Sequence, residues 1–144
     1  MTTVVIGIGN ALRGDDGAGI AVAERLGGLA CDEEPSRLIE AWEGADAAVL
    51  VDTVMSGAAP GTIHYFNASE EPIPARSLRS STHAIGLAET IELARALGRL
   101  PRSVVVYGIE GARFDAGTPL SPEVEAAVTR LVATIEEELC TSAP

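Results

Sequence analysis

The stretch VVIGIGNALRGDDGAGI, Val4 to Ile20, decides the fold. Its first five residues, Val4 to Ile8, are β-branched or glycine and read as a short buried strand. From Asp16 the pattern turns helical: Ile20, Ala23 and Leu26 share a face, and Gly27 with Gly28 ends the helix. Strand, glycine-rich turn and helix make the first half of a βα unit. The plan resembles a dinucleotide-binding loop, an apolar strand followed by Gly-x-Gly. Yet Asp15 and Asp16 stand where a helix N-terminus would receive a phosphate.

The rest of the chain repeats the alternation. A weak strand is predicted over Leu29 to Asp32 and a short helix over Pro35 to Trp42, with proline in its first turn. AAVLV, Ala47 to Val51, is the second strong strand and is expected to end at Asp52. Thr62 to Phe66 alternates as an edge strand or hairpin arm does. Residues 67–80 are rich in proline and serine and read as irregular. A helix capped by Ser81 or Thr82 is predicted to run to about Leu97. Ser103 to Ile109 is the third strong strand. Ser121 and Pro122 open a last helix whose Val124, Val128, Leu131, Ile135 and Leu139 form a core stripe. Strong strands alternating with helices imply a single-domain, three-layer α/β/α fold over residues 1–144, with a mostly parallel twisted sheet. Sites in such folds collect at the carboxyl ends of strands, where the strand order switches.

Composition narrows the function. With 144 residues and 47% hydrophobic content, the chain can bury a substantial core. The formal net charge is −11 and every one of the 10 basic residues is arginine. Such a surface repels nucleic acid and anionic lipid. Cys31 and Cys140 are too few for a disulfide framework or a thiolate metal site, so a reducing compartment is expected. The N-terminus reads as entering an apolar strand at once, so no cleaved leader is expected, and no apolar run nears the ~18 residues that span a bilayer. A cytoplasmic protein with neither membrane nor nucleic-acid partner follows.

Two phosphate chemistries fit poorly. The third glycine is Gly14, giving G-x-G-x-x-x-x-G rather than the dinucleotide fingerprint, and two carboxylates would occupy the N–H donors and repel pyrophosphate. A phospho-receiver needs its acid pair at the strand end and a lysine. Here residues 9–14 intervene, about 20 Å of extended chain, and no lysine exists.

A metal site fits better. Asp16 in the first loop and Asp52 at a strand end would converge over one sheet edge, and His83, behind a Ser-Ser-Thr sequence, would return to it. Two carboxylates and one imidazole suit a divalent metal such as zinc or nickel. Singly, each residue has a plainer explanation: Asp16 in the helix dipole, Asp52 holding loop amides, His83 in a first helical turn. Asp15 reads as a cap for its own helix. Glu110 could line a pocket at the same edge. His64 reads as a surface side chain of an edge strand, and Arg13 as a solvated loop residue. Cys31 sits in an acidic segment that disfavours its thiolate.

Taken together, GIGNALRGDDGAG from Gly7, VLVDTV through Asp52 with APGTI after it, STHAIGL around His83, GIE ending at Glu110 and the later LSPEVEAAV resemble the hydrogenase maturation endopeptidases. The resemblance runs in order from Val4 to about Leu139. It implies a twisted α/β/α sheet and a nickel-contacting set that falls here on Asp16, Asp52 and His83. It implies that the substrate is the nickel-loaded precursor of a nickel–iron hydrogenase large subunit, cut once to release a C-terminal extension. The nickel would be carried by the substrate, as a recognition mark and a candidate Lewis acid, with zinc or another divalent ion able to substitute. Two departures stand out. CDEEPSRL, Cys31 to Leu38, replaces a Gly/Thr-rich segment, and Gly111 with Ala112 stands where a proline often follows the third strand.

No serine or cysteine sits in a nucleophile elbow, so water is the expected nucleophile. A divalent metal can polarise the scissile carbonyl or bring the pKa of its water towards ~7. Asp15 or Asp16 is then the candidate general base. The rival expectation is a non-proteolytic, nickel-dependent chaperone or binding module of the same fold.

Overall fold

A computed structural model describes residues 2–32, 34–74 and 86–142. The elements are β1 (Thr3–Ile8), a 3-10 turn (Gly14–Gly17), α1 (Ala18–Arg25), β2 (Leu29–Cys31), α2 (Pro35–Trp42), β3 (Ala47–Val54), β4 (Ile63–Asn67), α3 (Leu87–Ala96), β5 (Ser103–Glu110) and α4 (Pro122–Ser142). The strands form one sheet in the order β2-β1-β3-β5-β4. All neighbours are parallel except β4, which runs antiparallel along β5. The fold is thus the expected single-domain α/β sandwich with a mostly parallel sheet.

The sheet has a helix layer on each face, and strand alternation sorts the core. Ile6, Ile8, Ala48, Leu50, Val104 and Val106 face one way and pack with Leu38, Trp42, Leu87 and Ile91 of α2 and α3. Val5, Val49, Val51, Tyr107 and Ile109 face the other way, against Ala18 and Val22 of α1 and the α4 stripe. Within that stripe Val124, Val128, Leu131 and Ile135 are fully buried. The central strands β1, β3 and β5 therefore read as nearly continuous apolar runs because both faces are covered.

α1 lies unusually close to the sheet. A Cβ added at Gly19 would stand 2.2 Å from the Val51 carbonyl oxygen, and one at Gly7 would stand 2.2 Å from the Gly19 carbonyl oxygen. Only two facing glycines let backbone meet backbone here. This fixes the start of α1 over the ends of β1 and β3.

Several boundaries differ from the expected ones. β3 does not end at Asp52. It continues to Val54, because β5 pairs with it through Thr53↔Ile109 and Val54↔Glu110. The helix α1 begins at Ala18, since Gly14–Gly17 form a tighter 3-10 turn. α3 begins at Leu87, after an extended Gly86, rather than behind Ser81 or Thr82. Those two cap candidates lie outside the described residues.

After β1 the chain moves to β2 on one side, then returns to β3 on the other. The switch in strand order falls between β1 and β3, and the loop carrying Asp15 and Asp16 rises from that point.

Candidate functional site at the switch point

Asp16 is 8% exposed and Asp52 1%, so both carboxylates are buried at the carboxyl edge of the sheet. Asp16 is held by the loop below it. The Asn10 N–H donates to its Oδ2 at 3.0 Å, and the same N–H reaches its carbonyl oxygen at 3.2 Å. The Asp16 N–H donates to the Arg13 carbonyl at 3.1 Å. Gly9 makes this fold possible: its φ is +143°, and a Cβ would fall 2.0 Å from the Asp16 carbonyl oxygen.

Asp52 sits inside β3, opposite Gly108 of β5, and its Oδ1 accepts the Thr53 N–H at 2.8 Å. Thr53 links it to the acidic loop. The Thr53 hydroxyl donates to the Asp15 carbonyl oxygen at 2.7 Å, so the residues beside Asp52 and Asp16 are bonded directly to one another. The structure in this way brings the Asp16 and Asp52 segments together. His83, the third expected ligand, lies outside the described residues. Among those that are described, no three His, Cys, Asp or Glu side chains gather into a metal-binding group. α3, the helix downstream of His83, packs through Leu87 and Ile91 on the sheet face shared with Leu50 and Val54. By strand alternation that is also the face of Asp52.

Asp15 does not cap its own helix. Its carboxylate is fully buried and points across to the segment between β5 and α4. Oδ2 accepts the N–H groups of Ala112 at 2.7 Å and Arg113 at 2.9 Å; Oδ1 accepts the Ser121 N–H at 2.7 Å. The Ser121 hydroxyl lies 3.1 Å from Oδ1 and 2.9 Å from Oδ2. In return, the Asp15 N–H donates to the Arg113 carbonyl at 2.7 Å. Burial by itself would raise the Asp15 pKa, but the hydrogen bonds from Ser121, Arg113 and Ala112 outweigh it and hold the carboxyl below its usual range.

Glu110 is buried beside this region and anchors the β3–β4 loop. It accepts the Ser56 hydroxyl at 2.6 Å and the Ser56 N–H at 2.9 Å, and it reaches the Gly57 N–H at 3.3 Å. His64 Nε2 lies 3.2 Å from Glu110 Oε1. His64 is therefore a partly buried partner of Glu110, stacked against Phe66, rather than a plain surface side chain. Its strand neighbours gave no hint of this, because Glu110 comes 46 residues later. Arg13 makes no side-chain bond among the described residues and stays a loop residue. Burial pushes the Cys31 thiol up, with Asp32 adding to the effect, as suits a cysteine that is not a nucleophile.

Ser121, Thr53 and Ser56 were not singled out by the sequence as site residues. Ser121 carried the signal of a helix cap, and Thr53 read as a loop residue beyond the expected end of β3. Neither signal shows that their hydroxyls bond to Asp15.

Comparison with known proteins bears on the family and the fold. The profile of the hydrogenase maturation protease family matches residues 33–138. The hydrogenase expression/formation protein HupD of Bradyrhizobium diazoefficiens is 30% identical over 132 residues, covering 84% of this chain and 69% of its own length. The HupD protein of Thiocapsa roseopersicina is 28% identical, and the match spans 88% of this chain but 62% of that protein. The hydrogenase 2 maturation protease of Escherichia coli is 27% identical, with 89% and 84% covered. Among solved structures, the hydrogenase maturating endopeptidase HybD of E. coli superposes with a TM-score of 0.77 at 21% identity, covering 99% of this chain and 94% of that one. The [NiFe] hydrogenase maturation protease HycI of Thermococcus kodakarensis reaches 0.73 at 26% identity, covering 94% and 90%. With its profile, its relatives and its fold in agreement, the chain belongs to the hydrogenase maturation protease family.

Proposed function

We propose that this protein is an endopeptidase that removes the C-terminal extension from the nickel-loaded precursor of a nickel–iron hydrogenase large subunit. One observation carries the reading: in a member of this family, the carboxylates of Asp16 and Asp52 are each buried at the carboxyl edge of the sheet, on segments joined through the Thr53–Asp15 hydrogen bond. Carboxylates at such an edge are oxygen donors of the kind a divalent cation takes. With His83 as a third donor, the set has the mixed oxygen and nitrogen chemistry that nickel accepts.

In this reading the nickel arrives as part of the substrate, and Asp16, Asp52 and His83 recognise it. The metal supplies positive charge near the scissile carbonyl. The protein holds that carbonyl in place and supplies a carboxylate to take the proton of the attacking water. The protein works where the precursor is made, in the cytoplasm, and needs neither a membrane nor a nucleic acid. No described helix is long and apolar enough to cross a membrane.

The test is to mix the protein with nickel-loaded precursor and measure the precursor's mass. The expected result is a single loss equal to the C-terminal extension. Binding without mass loss would instead make the protein a nickel-dependent chaperone. Equal cleavage of nickel-free precursor would remove the metal from the mechanism.

A further inference from the structure

We infer that Asp15 is a positioning residue of the proposed reaction and not its general base: it locks the β5–α4 segment to the loop that carries Asp16. The inference rests on the reading that Asp16 and Asp52 hold the reacting centre.

A general base needs a free lone pair facing the water it deprotonates. Asp15 is 0% exposed, and its two oxygens receive three backbone N–H groups and the Ser121 hydroxyl. An ionised carboxylate has about four acceptor positions. These donors fill them, and all of them come from residues 112–121 rather than from the Asp52 side. The chemistry of the acid pair is thereby divided, with Asp16 facing the site and Asp15 holding the frame.

The frame itself reaches the reacting residues through one peptide bond and one hydrogen bond. Asp15 is joined to Asp16 by one peptide bond. Its carbonyl is bonded to the Thr53 hydroxyl, one residue from Asp52. The enclosure is tight: a Cβ at Gly111 would fall 2.9 Å from Thr53 Cγ2 and 3.2 Å from Asp15 Cβ. A Cβ at Gly14 would fall 2.5 Å from the Arg113 carbonyl oxygen. Farther along, the Gly117 N–H donates to the Leu12 carbonyl at 2.8 Å, a second tie between the same two segments. Any shift of the 112–121 segment is therefore passed to Asp16. Ser121, more than a hundred residues away in sequence, becomes a control point for the site.

The test compares Asp15→Asn, Ser121→Ala, Ser121→Thr, the Asp15→Asn/Ser121→Ala double variant and Asp16→Asn. Each is assayed for single-turnover cleavage at saturating nickel-loaded precursor, at a temperature where thermal melts show every variant fully folded. Misplacement of a reacting group by about 1 Å costs about a hundredfold in rate. Asp15→Asn is expected to slow cleavage by about that factor, and Ser121→Ala by about tenfold, with wild-type precursor affinity. Ser121→Thr keeps the hydroxyl and restores the rate, and the double variant is no slower than Asp15→Asn. If Ser121→Ala cleaves at the wild-type rate, Asp15 either acts chemically on its own or only stabilises the fold, and the inference is wrong. Should Asp15→Asn fail to fold, the Ser121→Ala and Ser121→Thr pair still decides the matter. Full activity in Asp16→Asn would overturn the underlying site instead.

Discussion

Ser121 gives both its N–H and its hydroxyl to the carboxylate of Asp15, at 2.7 Å and 2.9 Å, across 106 residues of chain. The bond joins the N-terminus of α4 to the loop above β1. Both partners are buried, with Ser121 2% exposed. A hydrogen bond to a charged group contributes about 1.5–3 kcal/mol. Ser121→Ala removes the hydroxyl but keeps the N–H, so a loss of about 1–2 kcal/mol is expected in urea unfolding with an unchanged slope. Asp15→Asn turns an NH2 group toward donors and is expected to cost about 3 kcal/mol or more. A loss below 0.5 kcal/mol in Asp15→Asn, about the size of an ordinary surface change, would mean the lock is not formed.

The same lock predicts acid sensitivity. The folded Asp15 pKa lies below its ordinary value of 3.8, so the folded state binds this proton less readily than the unfolded chain. Its contribution is present above 3.8 and is lost as pH falls through the folded value. Wild-type stability should decline across that window more steeply than that of Asp15→Asn. Parallel acid limbs for the two proteins, measured by urea midpoints below pH 5, would contradict it.

What the sequence revealed follows from what periodicity can see. β1, β5, α2 and the core stripe of α4 were legible because their patterns are local and repeat along the chain. The end of β3 was not, since Thr53 and Val54 are held in the strand by Ile109 and Glu110 of a neighbour. The start of α3 at Leu87 is not legible, because Gly86 ahead of it is extended and makes no side-chain cap that a sequence could signal. Of the site, the acid pair and Asp52 stood out by type and position. The division of work between Asp15 and Asp16 did not, because it depends on donors nearly a hundred residues away.

Glu110 anchors a second loop, and removing it should loosen that loop locally. Ser56 and Gly57 have their N–H groups on its carboxylate. Glu110→Ala leaves these donors without an acceptor, at an expected cost of about 2 kcal/mol. Hydrogen exchange should speed up at Ser56 and Gly57 more than in β1. Uniform acceleration throughout the protein would mean that Glu110 supports the whole fold rather than this loop.

Tyr107 makes the opposite pH prediction. Its hydroxyl donates to Glu138 Oε1 at 2.5 Å. Burial first, then the hydrogen bond and charge of Glu138, push its pKa well above the ordinary 10.0. A raised folded value means that stability is fully present below 10 and is lost as pH rises beyond it. Tyr107→Phe is expected to cost about 1–2 kcal/mol at pH 8, and the gap to wild type should narrow by pH 11. A constant gap would show that the phenol does not carry this pH dependence.

The last prediction concerns Gly19, whose contacts set how closely α1 approaches the site. A Cβ there would meet the Val51 carbonyl oxygen at 2.2 Å and the Ile8 carbonyl oxygen at 3.0 Å. Both are backbone atoms of paired strands and cannot swing aside as a side chain would. Gly19→Ala must therefore push α1 outward, at an expected cost of about 3 kcal/mol. Gly44→Ala is the control. Its φ is +82°, but nothing lies within 4 Å of the added Cβ, so only backbone strain of about 1 kcal/mol applies. The melting temperature of Gly19→Ala should thus fall well below that of Gly44→Ala. Because the 3-10 turn bearing Asp16 leads directly into α1, Gly19→Ala should also slow cleavage when assayed fully folded, while Gly44→Ala should not. Equal losses of stability in the two variants would show that α1 does not rest on the sheet as closely as these contacts require.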